Sequence, residues 1–109
     1  MLHEKLMVYR ESVALAEDLC KEVATWPKGF GYLADQLRRA MASVALNTAE
    51  GNAKRSILER RRFFETARAS VAEVAACIDL MRVFGLTRKF ESHKSRCEGI
   101  SRMLWGLMR

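Results

Sequence analysis

The 109-residue sequence has no apolar run approaching the roughly 20 residues that a bilayer-spanning helix requires. Its first residues, MLHEKLMVYRES, are charged throughout and contain no apolar h-region, so no secretory signal is read there and the expected compartment is the cytoplasm. Cysteine is scarce. Cys20, Cys77 and Cys97 are odd in number, far apart and without C-x-x-C spacing, which argues against a zinc or disulfide framework. Cys20 and Cys77 fall on apolar helical stripes, where burial is expected. Histidine is scarcer still: His3 and His93 both fail to follow a glutamate by three residues, the pairing that bundle metal sites use, and both are expected at the surface. There is no G-x-x-x-x-G-K-[ST] loop, no G-x-S-x-G and no Cys/His pair in recognisable context. The expectation is a protein without catalytic residues, metal or cofactor. Sustained apolar–polar alternation is missing too, β-branched residues are few, and nothing reads as strand.

Helical periodicity is what the chain has instead. Leu6, Tyr9, Val13, Ala16, Cys20 and Val23 recur at steps of three and four and predict a first helix over about 3–25, closed by Thr25-Trp26-Pro27 because the residue before proline is pushed out of helical geometry. Leu33, Leu37, Ala40, Met41 and Val44 predict a second over about 32–52, with Gly51 able to supply a left-handed C-terminal residue or to continue the helix. Ser56 and Glu59 form an S-x-x-E capping signal for a third helix, about 57–84, with Phe63, Ala67, Ser70, Val74, Cys77 or Ile78, and Met81 inward. Gly85 stops it, and Thr87 can cap a fourth over about 88–107, with Phe90, Cys97, Ile100 or Met103, and Leu104 inside. One domain of this length holds a single modest core, so the predicted fold is all-α, an antiparallel up-down four-helix bundle over residues 1–109.

Polar residues interrupt the second and third stripes. Arg39, Ser43, Asn47 and Glu50 form one line at steps of four, four and three, and Thr66, Ser70 and Glu73 form another. Packed antiparallel, the two lines can exchange hydrogen bonds, which buried amides and carboxylates need because an unpaired one costs several kcal/mol. A structural network that fixes helix pairing and register is the favoured reading. Acid–base or metal chemistry by Glu50 and Glu73, and a subunit contact, stand as the alternatives.

The run LADQLRRAMASVALNTAEGNAKRS, followed by FFETARASVAEV, resembles the 23S rRNA intervening-sequence family of bacterial four-helix-bundle proteins, members of which are often encoded within insertions in the large ribosomal RNA gene. Gln36, Arg39, Ala40, Ser43, Asn47, Ala49, Glu50, Gly51, Ala67, Ser70 and Glu73 carry the likeness, which extends over nearly the whole chain. Thr48 stands where isoleucine is usual, and Ala69 where glycine is common. The resemblance implies an antiparallel bundle that assembles as a ring-like homopentamer and has no established enzyme activity. It also implies a relation to the accessory variability proteins of diversity-generating retroelements, basic pentamers that bind a reverse transcriptase and its template RNA.

Charge points the same way. The net charge is +6, and it is uneven: residues 1–37 carry four basic and six acidic groups, residues 38–68 eight and three, residues 69–109 seven and four. Arg38, Lys54, Arg55, Arg60, Arg61 and Arg62 are the candidate nucleic-acid-binding residues, with Arg39 and Arg68 flanking them. Three successive arginines span about 200° of a helix and cannot all be buried. Arginine also suits bidentate phosphate contacts. The competing reading is a merely solvated face, with Glu59 and Glu65 neutralising part of the cluster and Arg68 paired to a carboxylate. Sequence-specific readout has no support, since there is neither a helix-turn-helix nor an RNP-like aromatic signature. The tail SRMLWGLMR has more apolar residues than one helix face can bury. Trp105 either packs over the bundle's end or forms a subunit contact, the second favoured because a ring needs such surface.

The expected function is thus a basic, oligomeric, non-enzymatic scaffold for structured RNA or a ribonucleoprotein. The alternatives are an accessory subunit of a retroelement reverse transcriptase and a purely structural oligomer. Genome neighbourhood separates the first two; salt-dependent RNA binding separates both from the third.

Overall fold

Glycine backbone geometry marks two of the three turns. Gly29 adopts φ 105° in the loop after Pro27, and Gly85 adopts φ 71° where the third helix ends; both lie in the region that disfavours a side chain. The computed structural model describes residues 2–109. Its helices are α1 (Leu2–Val23), α2 (Gly31–Ala53), α3 (Ile57–Val83) and α4 (Phe90–Met108), with no strand among the described residues. Each packs on its two neighbours, α1 on α2, α2 on α3, α3 on α4 and α4 back on α1, giving an antiparallel up-down bundle of 45 × 22 × 18 Å. Ser56 caps α3, its hydroxyl accepting from the Glu59 amide at 3.3 Å. Thr87 does not cap α4. Its hydroxyl accepts from the Lys89 amide at 3.1 Å, a tight turn that delays the helix to Phe90.

The core is built from Leu15, Leu19, Leu37, Phe64, Ile78, Met81, Ile100 and Leu104, all essentially inaccessible to water. Burying each such side chain stabilises the bundle by roughly 1.5–3 kcal/mol before entropy is counted. On α1 the inward row departs from the expected one. Val8, Ser12, Leu15 and Leu19 are buried together with the expected Val23, and Ala16 is half-buried against them, whereas Leu6, Tyr9, Val13 and Cys20 are exposed. Both rows are apolar at helical spacing. The bulk of Leu15 and Leu19 decides between them, and the intervening Ser12 is tolerated because its hydroxyl donates to the Val8 carbonyl at 2.8 Å. Thr48 is accommodated in the same way, fully buried with its hydroxyl on the Val44 carbonyl at 2.7 Å. On α3, Phe64 rather than Phe63 enters the core.

His93, expected at the surface, is only 1% exposed. It lies on the inner face of α4, and its Nε2 hydrogen-bonds the Glu22 carboxylate on α1. Beside it Arg96 donates to Asp18 at 2.6 Å and holds that carboxyl below the usual carboxylate range. These two pairs tie α1 to α4. Cys97, buried next to them, has its thiol pushed up to about 11 by desolvation. Gly51 does not end α2, which continues to Ala53. It sits instead where α2 and α3 approach so closely that the Phe64 ring occupies the space of a side chain.

Candidate nucleic-acid interface

Antiparallel connectivity gathers the ends of helices into poles. At one pole lie the C-terminus of α2, the turn to α3, the first turns of α3 and the last turns of α4. Lys54, Arg55, Arg60, Arg61 and Arg62 therefore share one end of the bundle. Arg38 does not join them. It stands on α2, about 22 Å before that helix ends at Ala53 at about 1.5 Å per residue, and it pairs with Asp35 at 3.7 Å.

The five cations at the pole are not equivalent. Arg60 Nη1 donates to the carbonyls of Lys54 (3.3 Å) and Arg55 (3.2 Å), closing the C-cap acceptor of α2 and the first acceptor of the turn beyond it. Arg61 Nε donates to the Met108 carbonyl at 2.7 Å and does the same for α4. Lys54 pairs with Glu50 at 3.6 Å and lies over the Phe63 ring at 5.4 Å. Arg55 and Arg62 are exposed, and among the described residues their side chains have neither a hydrogen bond nor an ion pair. Nor do Glu59 or Glu65 pair with any of the arginines among the described residues. The cluster thus combines two arginines that cap helices with two that are free to meet an anion. Spacing on a helix wheel cannot make that distinction, because the capping acceptors belong to other elements.

The polar lines of α2 and α3 meet in part. Ser43 and Ser70 hydroxyls are 2.6 Å apart, and Asn47 Nδ2 donates to the Ser43 carbonyl (2.9 Å) and hydroxyl (3.1 Å). Gln36, outside the expected line, bonds Glu73 from its Nε2. Arg39 and Glu73 line a groove between α2 and α3. Glu50 faces outward to Lys54, and Thr66 is exposed with its hydroxyl on the Arg62 carbonyl at 3.0 Å. The half-buried serine–asparagine centre pins α2 to α3 in register. The glutamates lie at its edges, well separated along the helices. Among the described residues Arg68 has no carboxylate partner. Its Nε donates to the Ser101 hydroxyl at 3.1 Å and its guanidinium covers Trp105.

No helix among the described residues is long and apolar enough to cross a membrane. Four helices, a serine–asparagine clasp and an arginine-rich pole define the class: a small basic bundle protein. The chain belongs to the 23S rRNA-intervening sequence protein family, whose model matches residues 4–106. No curated protein matches it.

Proposed function

We propose that the protein is a non-enzymatic, basic, homo-oligomeric scaffold that binds structured RNA, alone or within a ribonucleoprotein, by phosphate contacts at the basic pole. The observation that carries this reading is the pair Arg55 and Arg62, exposed and without partners beside the helix-capping Arg60 and Arg61. Arginines near the start of α3 oppose its macrodipole, a small penalty that stability alone does not favour. An anion at this pole removes that penalty and releases counterions from the nucleic acid. Membership in a family named for an intervening sequence of 23S rRNA is compatible with an RNA partner.

Self-association rests on a second surface. Leu2, Leu6, Tyr9 and Val13 are exposed along α1 at steps of four, three and four, and Leu46, 65% exposed, lies between exposed Ala42 and Ala49 on α2. Asn52 Nδ2 donates to the Lys5 carbonyl at 3.1 Å and sets these two rows side by side. A two-helix apolar surface of this kind, edged by exposed Arg10, Glu17, Arg39 and Glu50, suits contact with a second copy of the chain. The resemblance implies five copies. A ring repeats the pole in every subunit, and several weak phosphate sites on one rigid body act multivalently.

The test is charge reversal at the free arginines. Arg55→Glu with Arg62→Glu should weaken binding of a labelled RNA hairpin at least tenfold, with helicity and oligomeric state unchanged. Equal binding by this variant and the wild type would remove the basic pole from consideration.

A further inference from the structure

Trp105 is half exposed, at 50% of its full surface, on the flank of α4 that faces α3. Beside it runs a groove of about 460 Å³ with Ala69 and Ala72 in its lining, Arg68 across from the indole and Glu65 as its one carboxylate. The Arg68 guanidinium carbon is 5.1 Å from the Trp105 ring centroid, and the Ser101 hydroxyl fixes Arg68 there by a 3.1 Å hydrogen bond. One side of the indole therefore already carries an ordered cation. Arg102, three residues before Trp105, shares its side of α4, and Arg109 follows the last residue of that helix. Arg61 closes the groove's end through the Met108 carbonyl. Glu65 and, two turns back on α4, Glu98 offset part of this charge.

We infer that Trp105, on the indole face that Arg68 leaves open at the edge of this groove, stacks an unpaired nucleobase of the bound RNA, with the flanking phosphates on the surrounding arginines. The inference rests on the RNA-binding reading and deepens it by naming single-stranded segments as the recognised feature. Every base has a π-face, so stacking on an indole accepts any sequence, in keeping with the lack of a base-reading motif. Bases inside a duplex are already stacked and offer no face. Unpaired loops and ends do. A second copy of the chain is the poorer occupant, because docking it here would desolvate several arginines. The rows of α1 and α2 offer a second copy more apolar surface, with Leu2, Leu6, Tyr9, Val13 and Leu46 all exposed. The groove adjoins the basic pole, so one RNA strand can run from the pole's free arginines to the open face of Trp105.

The experiment uses the full chain and two labelled RNAs of equal length, a 12-nucleotide oligouridine and a 12-base-pair duplex. Affinities are measured for wild type, Trp105→Ala and Trp105→Phe, with circular dichroism and light scattering on each. Single-stranded RNA should quench the wild-type tryptophan fluorescence, and Trp105→Phe, whose one remaining indole is Trp26, should lose that quenching. Trp105→Ala should weaken oligouridine binding about tenfold and leave duplex binding within about twofold, while Trp105→Phe retains most of the affinity. Binding of both RNAs without quenching, and without loss in Trp105→Ala, overturns the stacking site and leaves the basic pole standing. Dissociation of the oligomer by either variant overturns it in favour of a subunit contact. If no form binds either RNA at low salt, the RNA-binding reading fails together with this inference.

Discussion

At Gly51 one added carbon would collide with the core. A Cβ there would lie 2.5 Å from Phe64 Cε1 and 2.8 Å from Cδ1, and the Phe64 ring, 1% exposed, has nowhere to retreat. Alanine is intrinsically better than glycine in a helix by about 1 kcal/mol, but overpacking of this kind costs about 1–3 kcal/mol. Gly51→Ala should therefore destabilise the protein. Gly99 and Gly106 are helical positions in α4 with nothing within 4 Å of a built Cβ, and alanine at either should stabilise by about 0.5–1 kcal/mol. Urea denaturation of the three variants reads both signs, and a stabilised Gly51→Ala would contradict the close approach. Titration acts at the same scale. The folded Cys97 thiol is raised from 9.0 to about 11, so its contribution is complete below pH 9 and is lost as the pH rises through about 11. Wild type should lose about 2–3 kcal/mol more than Cys97→Ala across that window. Asp18 has the opposite sign: its carboxyl is lowered by Arg96, and its contribution holds above the ordinary carboxylate range and disappears as acid protonates it.

Among the elements, the ends of α2 and α4 depend on arginines from α3. Arg61→Ala removes the donor to the Met108 carbonyl, and the last turn of α4 should fray, seen as faster amide hydrogen exchange over residues 104–108 than over 93–100. Unchanged exchange would show that the cap contributes nothing. The helices themselves were legible because proline, glycine and the Ser56 cap punctuate a clear three-and-four periodicity. Which face of α1 turns inward was not, since Leu6–Cys20 and Val8–Val23 are both apolar and Ser12 hides the true row until its hydroxyl is seen bonded to Val8. His93 and Glu22 stand 71 residues apart, and only packing of α1 on α4 makes them partners. The basic cluster was visible as composition. Its division into capping and free arginines lies in tertiary acceptors that no local pattern reveals. Spacing did find the Ser43–Asn47–Ser70 centre, because both helices present it at matched register, but it also enrolled Glu50 and Thr66, which lie just past the contact.

For the whole molecule, the bundle separates its surfaces by chemistry: exposed apolar rows on α1 and α2, and an arginine-rich pole with the Trp105 groove. Val13→Glu with Leu46→Glu should convert an oligomer into monomers by light scattering while helicity is kept, since both side chains are exposed in the single subunit. A variant that remained oligomeric would assign assembly to another face. Phosphate binding at the pole makes the sharper demand. A labelled RNA hairpin titrated by fluorescence anisotropy from low to moderate salt should show an affinity that falls linearly in log–log form, with a slope near −3 to −4 if about four phosphates are neutralised, and Arg55→Glu with Arg62→Glu should flatten that slope by about two. Salt-independent binding, or the same slope in the variant, would contradict a phosphate-binding pole.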